Sequence, residues 1–252
     1  MGASIGRFAE NPSDLVLRGH NKPVYSCCCS SDGLFLATAS GDKTLRIWDT
    51  KSWTSIRSLS GHVSAVYSCS ISSNNQYLIS GSLDGSLKLW MIGDGSEIST
   101  VREHKEAIMS VCFSTDCKKV ISASADKTVI VWTIASDESE NQSQLVKTLC
   151  LVGHKAGVNA VAISPDGLSA VSGSSDTLLK IWNLVTGKET RSLYGHSDLV
   201  LCCAASPCGK FVLSSSQDCT VRLWSWTTGK ELKQVRNLSH NPAFPHFGVL
   251  TL

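Results

Sequence analysis

Thr38-Ala39-Ser40-Gly41-Asp42-Lys43-Thr44-Leu45-Arg46-Ile47-Trp48-Asp49 is the stretch on which the reading of this chain turns, because its skeleton comes back four more times in phase. A hydroxyl residue, an aspartate four places on and a tryptophan six places after that recur as Ser80/Asp84/Trp90, Ser122/Asp126/Trp132, Ser172/Asp176/Trp182 and Ser214/Asp218/Trp224. Working outward, a histidine stands 22 residues before each aspartate: His20, His62, His104, His154 and His196. These histidines follow one another at 42, 42, 50 and 42 residues. Recurrence of that kind is the mark of a duplicated unit, and a period in the forties suits four short strands per unit.

The first unit reads as strands throughout. Val24 to Cys29 is apolar, β-branched and cysteine-rich, Ser30-Ser31-Asp32-Gly33 is a turn, and Phe35 to Ser40 is a second run. Gly41-Asp42 turns the chain again, and Thr44 to Trp48 alternates with the period of a strand. Ser55 to Leu59 makes a fourth run before Gly61-His62 restarts the cycle. The turns Ser164-Pro165-Asp166-Gly167 and Ser206-Pro207-Cys208-Gly209 carry proline to fix φ and glycine to permit positive φ. The eight extra residues between His104 and His154 fall in a polar, acidic stretch, 136–143, which reads as a solvated loop, open to docking or phosphorylation.

Composition narrows the classes. Lys and Arg number 23 against 21 Asp and Glu, a net charge of +2, so no bulk field recommends nucleic acid. No run approaches the about 18 apolar residues of a membrane span. Eleven cysteines, with no Cys-x-x-Cys pair and no apolar secretory leader in Met1 to Asn11, read as reduced thiols of the cytoplasm or nucleus. Cys27-Cys28-Cys29 would alternate across a strand and so cannot converge on one metal. No metal site and no cofactor is expected. Gly-x-Ser-x-Gly, His-Glu-x-x-His and phosphate-loop signatures are missing, which leaves no enzyme class supported.

Gly-His, Ser-Pro-Asp-Gly, Ser-x-Ser-x-Asp and Leu-x-x-Trp, in this order and spacing, resemble the WD40-repeat family of β-propellers. The resemblance covers about residues 14 to 237 and implies an all-β propeller of five complete four-stranded blades plus the start of a sixth. Residues 1–13 would be an N-terminal tail, and 238–252 an aborted sixth repeat or C-terminal tail. Leu15-Val16-Leu17 reads as an outer strand that could latch the ring. Because seven blades are usual, the chain looks like an incomplete or truncated ring of a longer array, with a five-bladed ring as the other reading.

The resemblance also implies a buried hydrogen-bonded chain in each blade, from Trp to Ser or Thr to His to Asp, with His20, Thr38, Asp42 and Trp48 as the first set. A Ser/His/Asp set invites comparison with hydrolases, but an active site is needed once and this set occurs five times at equal pitch. By analogy, partners would bind at the rim of the central channel. Tyr25, Tyr67, Leu83 and Met109 are expected to form one aromatic and thioether patch there, with Asn159, Leu201 and Gln217 completing the rim; a packed channel lining is the alternative. Arg46, Lys88, Lys180 and Arg222, each two residues before a tryptophan, read either as a basic ridge or as stems lying along the blade edge. The function expected is a non-catalytic scaffold for protein or peptide partners, within a multiprotein complex. An alternative is a substrate receptor of a cullin-RING ubiquitin ligase, because Phe35 to Lys51 resembles the docking box of such receptors, although Lys51 stands where Arg is usual.

Overall fold

The computed structural model describes residues 15–137 and 142–236. Turn residues cut the β-branched and aromatic runs into strands of mostly five or six residues, and each group of four pairs only with itself. The first sheet is β1 (Val24–Cys29), β2 (Phe35–Ser40), β3 (Thr44–Asp49) and β4 (Ser55–Ser60). The second is β5 (Val66–Ile71), β6 (Tyr77–Ser82), β7 (Leu87–Met91) and β8 (Glu97–Val101). The third is β9 (Ile108–Phe113), β10 (Lys119–Ser124), β11 (Thr128–Asp137) and β12 (Gln142–Val152). The fourth is β13 (Val158–Ile163), β14 (Ser169–Ser174), β15 (Leu179–Asn183) and β16 (Glu189–Leu193). The fifth is β17 (Val200–Ala205), β18 (Phe211–Ser216), β19 (Thr220–Ser225) and β20 (Glu231–Arg236). All are antiparallel meanders in chain order.

Neighbouring sheets meet through their innermost strands, β1 on β5, β5 on β9, β9 on β13 and β13 on β17. One apolar residue opens each of β5, β9, β13 and β17 and wedges into the sheet before it. Val66, Ile108, Val158 and Val200 are fully buried this way. The fit is close enough that a Cβ added to Gly81 would lie 2.4 Å from Ile108, and one added to Gly173 would lie 2.6 Å from Val200. Hydroxyl groups lace the same joints. Ser31 Oγ donates to Ser73 O at 2.7 Å, Ser73 Oγ to Thr115 O at 2.6 Å, and Thr115 Oγ1 to Pro165 O at 2.7 Å, so the β1–β2 type turns of four blades are tied in series.

The flanks that would meet in a closed ring are uncovered. Val24, the wedge of the first sheet, is 50% exposed where its four counterparts are at 0%. At the other end Leu213, Val221 and Leu223 are half-buried, while their counterparts Ile79, Leu87 and Leu89 are fully buried. Among the described residues no strand of the fifth sheet pairs with the first, and ring closure is not detected.

Two local expectations are corrected. Leu15-Val16-Leu17 forms no strand, and Leu15 is 61% exposed, because β20 already fills the fourth place of the last blade. The two ends of the polar stretch 136–143 belong to the sheet, while 138–141 lie outside the described residues. β11 and β12 run on together through Ser136↔Ser143 and Asp137↔Gln142, since residues added equally to two paired strands satisfy each other's backbone groups. The expected tails, 1–13 and 238–252, lie outside the described residues.

Candidate functional site

The repeated polar set sits between β2, β3 and the entry to β1 in each blade, and donor chemistry fixes its direction. An indole N–H can only donate. Trp182 Nε1 therefore gives its proton to Ser172 Oγ at 2.8 Å, and the serine hydroxyl has its own hydrogen left for His154 Nε2 at 2.7 Å. With Nε2 accepting, the neutral ring carries its proton on Nδ1, which points at Asp176 Oδ2, 2.9 Å away. The same relay joins Trp48, Thr38, His20 and Asp42; Trp132, Ser122, His104 and Asp126; and Trp224, Ser214, His196 and Asp218, with every step between 2.8 and 2.9 Å.

The second blade departs from the expected set. Trp90, Ser80 and His62 are joined as elsewhere, but His62 Nδ1 donates to Ser86 Oγ at 2.9 Å, and Ser86 Oγ in turn to Asp84 Oδ1 at 2.5 Å. Arg102 holds the other Asp84 oxygen at 3.7 Å, and a fully buried serine replaces the threonine found here in three blades, so a hydroxyl is inserted into the relay.

Protonation follows from these contacts. Burial lowers His104, His154 and His196, while the hydrogen bond and charge of the facing aspartate oppose it. His62, with a hydroxyl in place of a direct carboxylate partner, is lowered by burial to about 4. For Asp218 burial works upward, yet hydrogen bonds from Thr220, His196 and the Ser197 and Thr220 N–H groups outweigh it and hold the carboxyl at about 2. Asp42 is held lower still in the same manner. At neutral pH the relays of the third, fourth and fifth blades are each a neutral imidazole on a carboxylate, and in the second a hydroxyl stands between the neutral ring and Asp84.

Such a set cannot attack a substrate. Ser80, Ser122, Ser172 and Ser214 are at 0% exposure, and each hydroxyl is committed both as acceptor and as donor. Cys112 and Cys203 on the inner strands are equally unsuited, since burial pushes Cys112 up to about 12 and raises Cys203 well above its ordinary value. Among the described residues no three His, Cys, Asp or Glu side chains converge as a metal site.

Residues of all five inner strands line a cavity of about 520 Å³. Tyr25, Tyr67, Met109, Asn159 and Leu201 all line it, together with Ser175 and Leu199. Tyr25 and Tyr67 touch edge to face with ring centres 4.9 Å apart. Asn159 Nδ2 donates to Ser175 Oγ at 3.0 Å and to Val200 O at 2.9 Å, which fixes its amide. Leu83 and Gln217 are exposed on turns outside this lining.

The basic residues before the tryptophans form no ridge. Lys88 and Lys180 are buried against Glu97 and Glu189 at 2.7 and 2.6 Å, and Arg222 pairs with Glu231 at 2.5 Å. These pairs and the laced turn hydroxyls went unread in the sequence; the nine-residue spacing from cation to glutamate was the available signal. Lys51 lies exposed on the β3–β4 turn, its N–H bonded to Asp49 Oδ1 at 2.7 Å.

A family model described as WD domain, G-beta repeat, matches residues 13–49, 53–91, 95–133, 143–183 and 187–225, each segment ending one residue past a relay tryptophan. The chain belongs to the WD40-repeat family. WD40 repeats generally serve as non-catalytic platforms for protein and peptide binding, and the five sheets are WD40 blades. Compared with curated proteins, the chain has no match.

Proposed function

We propose that this WD40 array is a scaffold that holds a peptide or protein partner across the mouth of its central cavity, within a multiprotein complex. The observation that carries the reading is the Tyr25–Tyr67 pair beside Met109, half-buried side chains lining one cavity on three consecutive blades. Aromatic rings offer large contact area at low entropic cost, and a thioether adapts to irregular surfaces. Asn159 and Ser175 bring polar groups to the same lining, held to each other by the bond from Asn159 Nδ2 to Ser175 Oγ. We place the protein in a reducing, cytoplasmic setting on its eleven cysteines, odd in number and without a Cys-x-x-Cys pair.

The test is affinity purification with mass spectrometry on the whole chain and on a Tyr25→Ala/Tyr67→Ala variant, with circular dichroism to verify the fold. Loss of a defined set of partners from the folded variant is the expected result. Retention of every partner by the folded variant would overturn the proposal.

A further inference from the structure

Three blades share an internal ion pair built at one register. The residue two before the tryptophan is cationic, and a glutamate opposite the tryptophan, at the start of the outer strand, neutralises it: Lys88 with Glu97, Lys180 with Glu189, Arg222 with Glu231. A hydroxyl on the outer strand completes the cluster in two of them. Lys88 Nζ donates to Thr100 Oγ1 at 2.7 Å, Lys180 Nζ to Ser192 Oγ at 2.9 Å, and each hydroxyl donates to its glutamate at 2.5 Å.

The first blade keeps the cation, Arg46, and a paired hydroxyl residue, Ser58, but not the acid. Ser55 stands opposite Trp48, where the other three have glutamate. Arg46 Nη1 reaches Ser55 Oγ at 3.3 Å, and Arg46 Nε is buried with no hydrogen-bond partner. Among the described residues no carboxylate lies within ion-pair distance of Arg46. Ser55 itself is exposed.

We propose that Ser55 is a phosphorylation site whose phosphate supplies the anion missing from the first blade and clamps β4 to Arg46. The geometry suits the exchange. The phosphorus of phosphoserine and the carboxyl carbon of glutamate both lie two bonds beyond Cβ, so the phosphate oxygens occupy the place of the Glu97, Glu189 and Glu231 carboxylates. A phosphate brings about −1.5 to −2 charges and three acceptor oxygens, and the planar guanidinium fork matches two of them, using the idle Nε–H. In the transfer a nucleoside triphosphate, held by a protein kinase, is the donor. Ser55 Oγ attacks the γ-phosphorus and forms the new O–P bond; the bond to the β–γ bridging oxygen breaks, the nucleoside diphosphate leaves with the electron pair, and the hydroxyl proton passes to the kinase's base.

Access is provided by the preceding turn. Trp53 stands where three other blades have a glycine of positive φ, Gly95, Gly187 and Gly229, and it shares that backbone conformation at φ 55° with its ring 41% exposed. The turn therefore presents an aromatic side chain two residues before the acceptor.

The first measurement is phosphopeptide mapping of the whole chain recovered from eukaryotic cells with phosphatases inhibited. Phosphate on Ser55 is expected; its absence overturns the assignment. The second is a ³¹P titration of the chain carrying phosphoserine at 55. The phosphate midpoint is expected about one unit below the ordinary value of about 6 and is expected to return to it in Arg46→Gln. A midpoint at the ordinary value with Arg46 present overturns the clamp. If Arg46→Gln does not fold, Ser55→Glu replaces it: a raised Tm relative to Ser55→Ala supports the clamp, and an equal or lower one overturns it.

Discussion

Mild acid should weaken the second blade, because His62 alone among the relay histidines gives its Nδ1 proton to a hydroxyl as its close partner. Its value falls from 6.5 to about 4 on folding, first through burial, with the charge of Asp84 opposing. Between these values the unfolded chain binds more protons than the folded one, so stability falls as pH falls, beginning near 6.5 and complete below about 4. Integrated from pH 7 to pH 5, this single group removes on the order of 2 kcal/mol. The physical event is protonation of Nε2, which takes away the acceptor for Ser80 and leaves a charge under a 6% exposed ring. Urea unfolding followed by tryptophan fluorescence at the two pH values measures the loss. His62→Gln cannot titrate, so its loss over the same interval is expected to be smaller by about that amount. An equal loss in the wild-type chain and the variant would refute the assignment of acid sensitivity to His62.

Other outcomes follow from contacts already described. Ser214→Ala strands the Trp224 indole N–H and the His196 Nε2 together, a cost of about 2 to 5 kcal/mol to be read as a fall in urea midpoint. Thr177 holds φ 72° on a turn where the second blade has Gly85, so Thr177→Gly relieves a β-branched residue and is expected to raise Tm, the backbone relief being about 1 kcal/mol. Gly173→Ala drives a Cβ to 2.6 Å from Val200 and is expected to cost about 1 to 3 kcal/mol. Combining it with Val200→Ala should cost less than the sum of the two single changes, and strict additivity would show that the wedge is not where the strain falls.

The relay was legible because it imposes four residue types at fixed separations, and Asp42 or Trp48 has no freedom to drift once its bonds are buried. The blades were legible for the same reason, since β-branched runs and turn residues repeat with them. The inserted hydroxyl of Ser86 was not legible: serine and threonine look equivalent in sequence, and only the pull of Arg102 on Asp84 together with full burial separates them. The ion pairs escaped notice because the register shift before each tryptophan sets which residue of the outer strand faces the cation, as between Leu89 and Trp90. The added residues around 136–143 looked like a loop because polarity speaks to solvent exposure, whereas pairing through Asp137↔Gln142 depends on equal lengths in two strands. At the cavity, Tyr25, Tyr67, Met109, Asn159 and Leu201 share one offset from their histidines and so share one wall; Leu83 and Gln217 belong to a different offset, on turns that stand clear of it.

Those register shifts reach beyond the ion pairs. In every blade the outer strand steps out of alignment beside the tryptophan, at Ile47/Trp48, Leu89/Trp90, Val131/Trp132, Ile181/Trp182 and Leu223/Trp224. Such a bulge adds twist to the outermost strand of each sheet, which among the described residues is paired on one side only. Glu189 and Arg191 on β16, and Glu231, Lys233 and Arg236 on β20, place charge along the same border. A foreign strand laid against that perimeter would find a warped template and ionised side chains to desolvate, so the described outer strands offer no straight seed for fibrils.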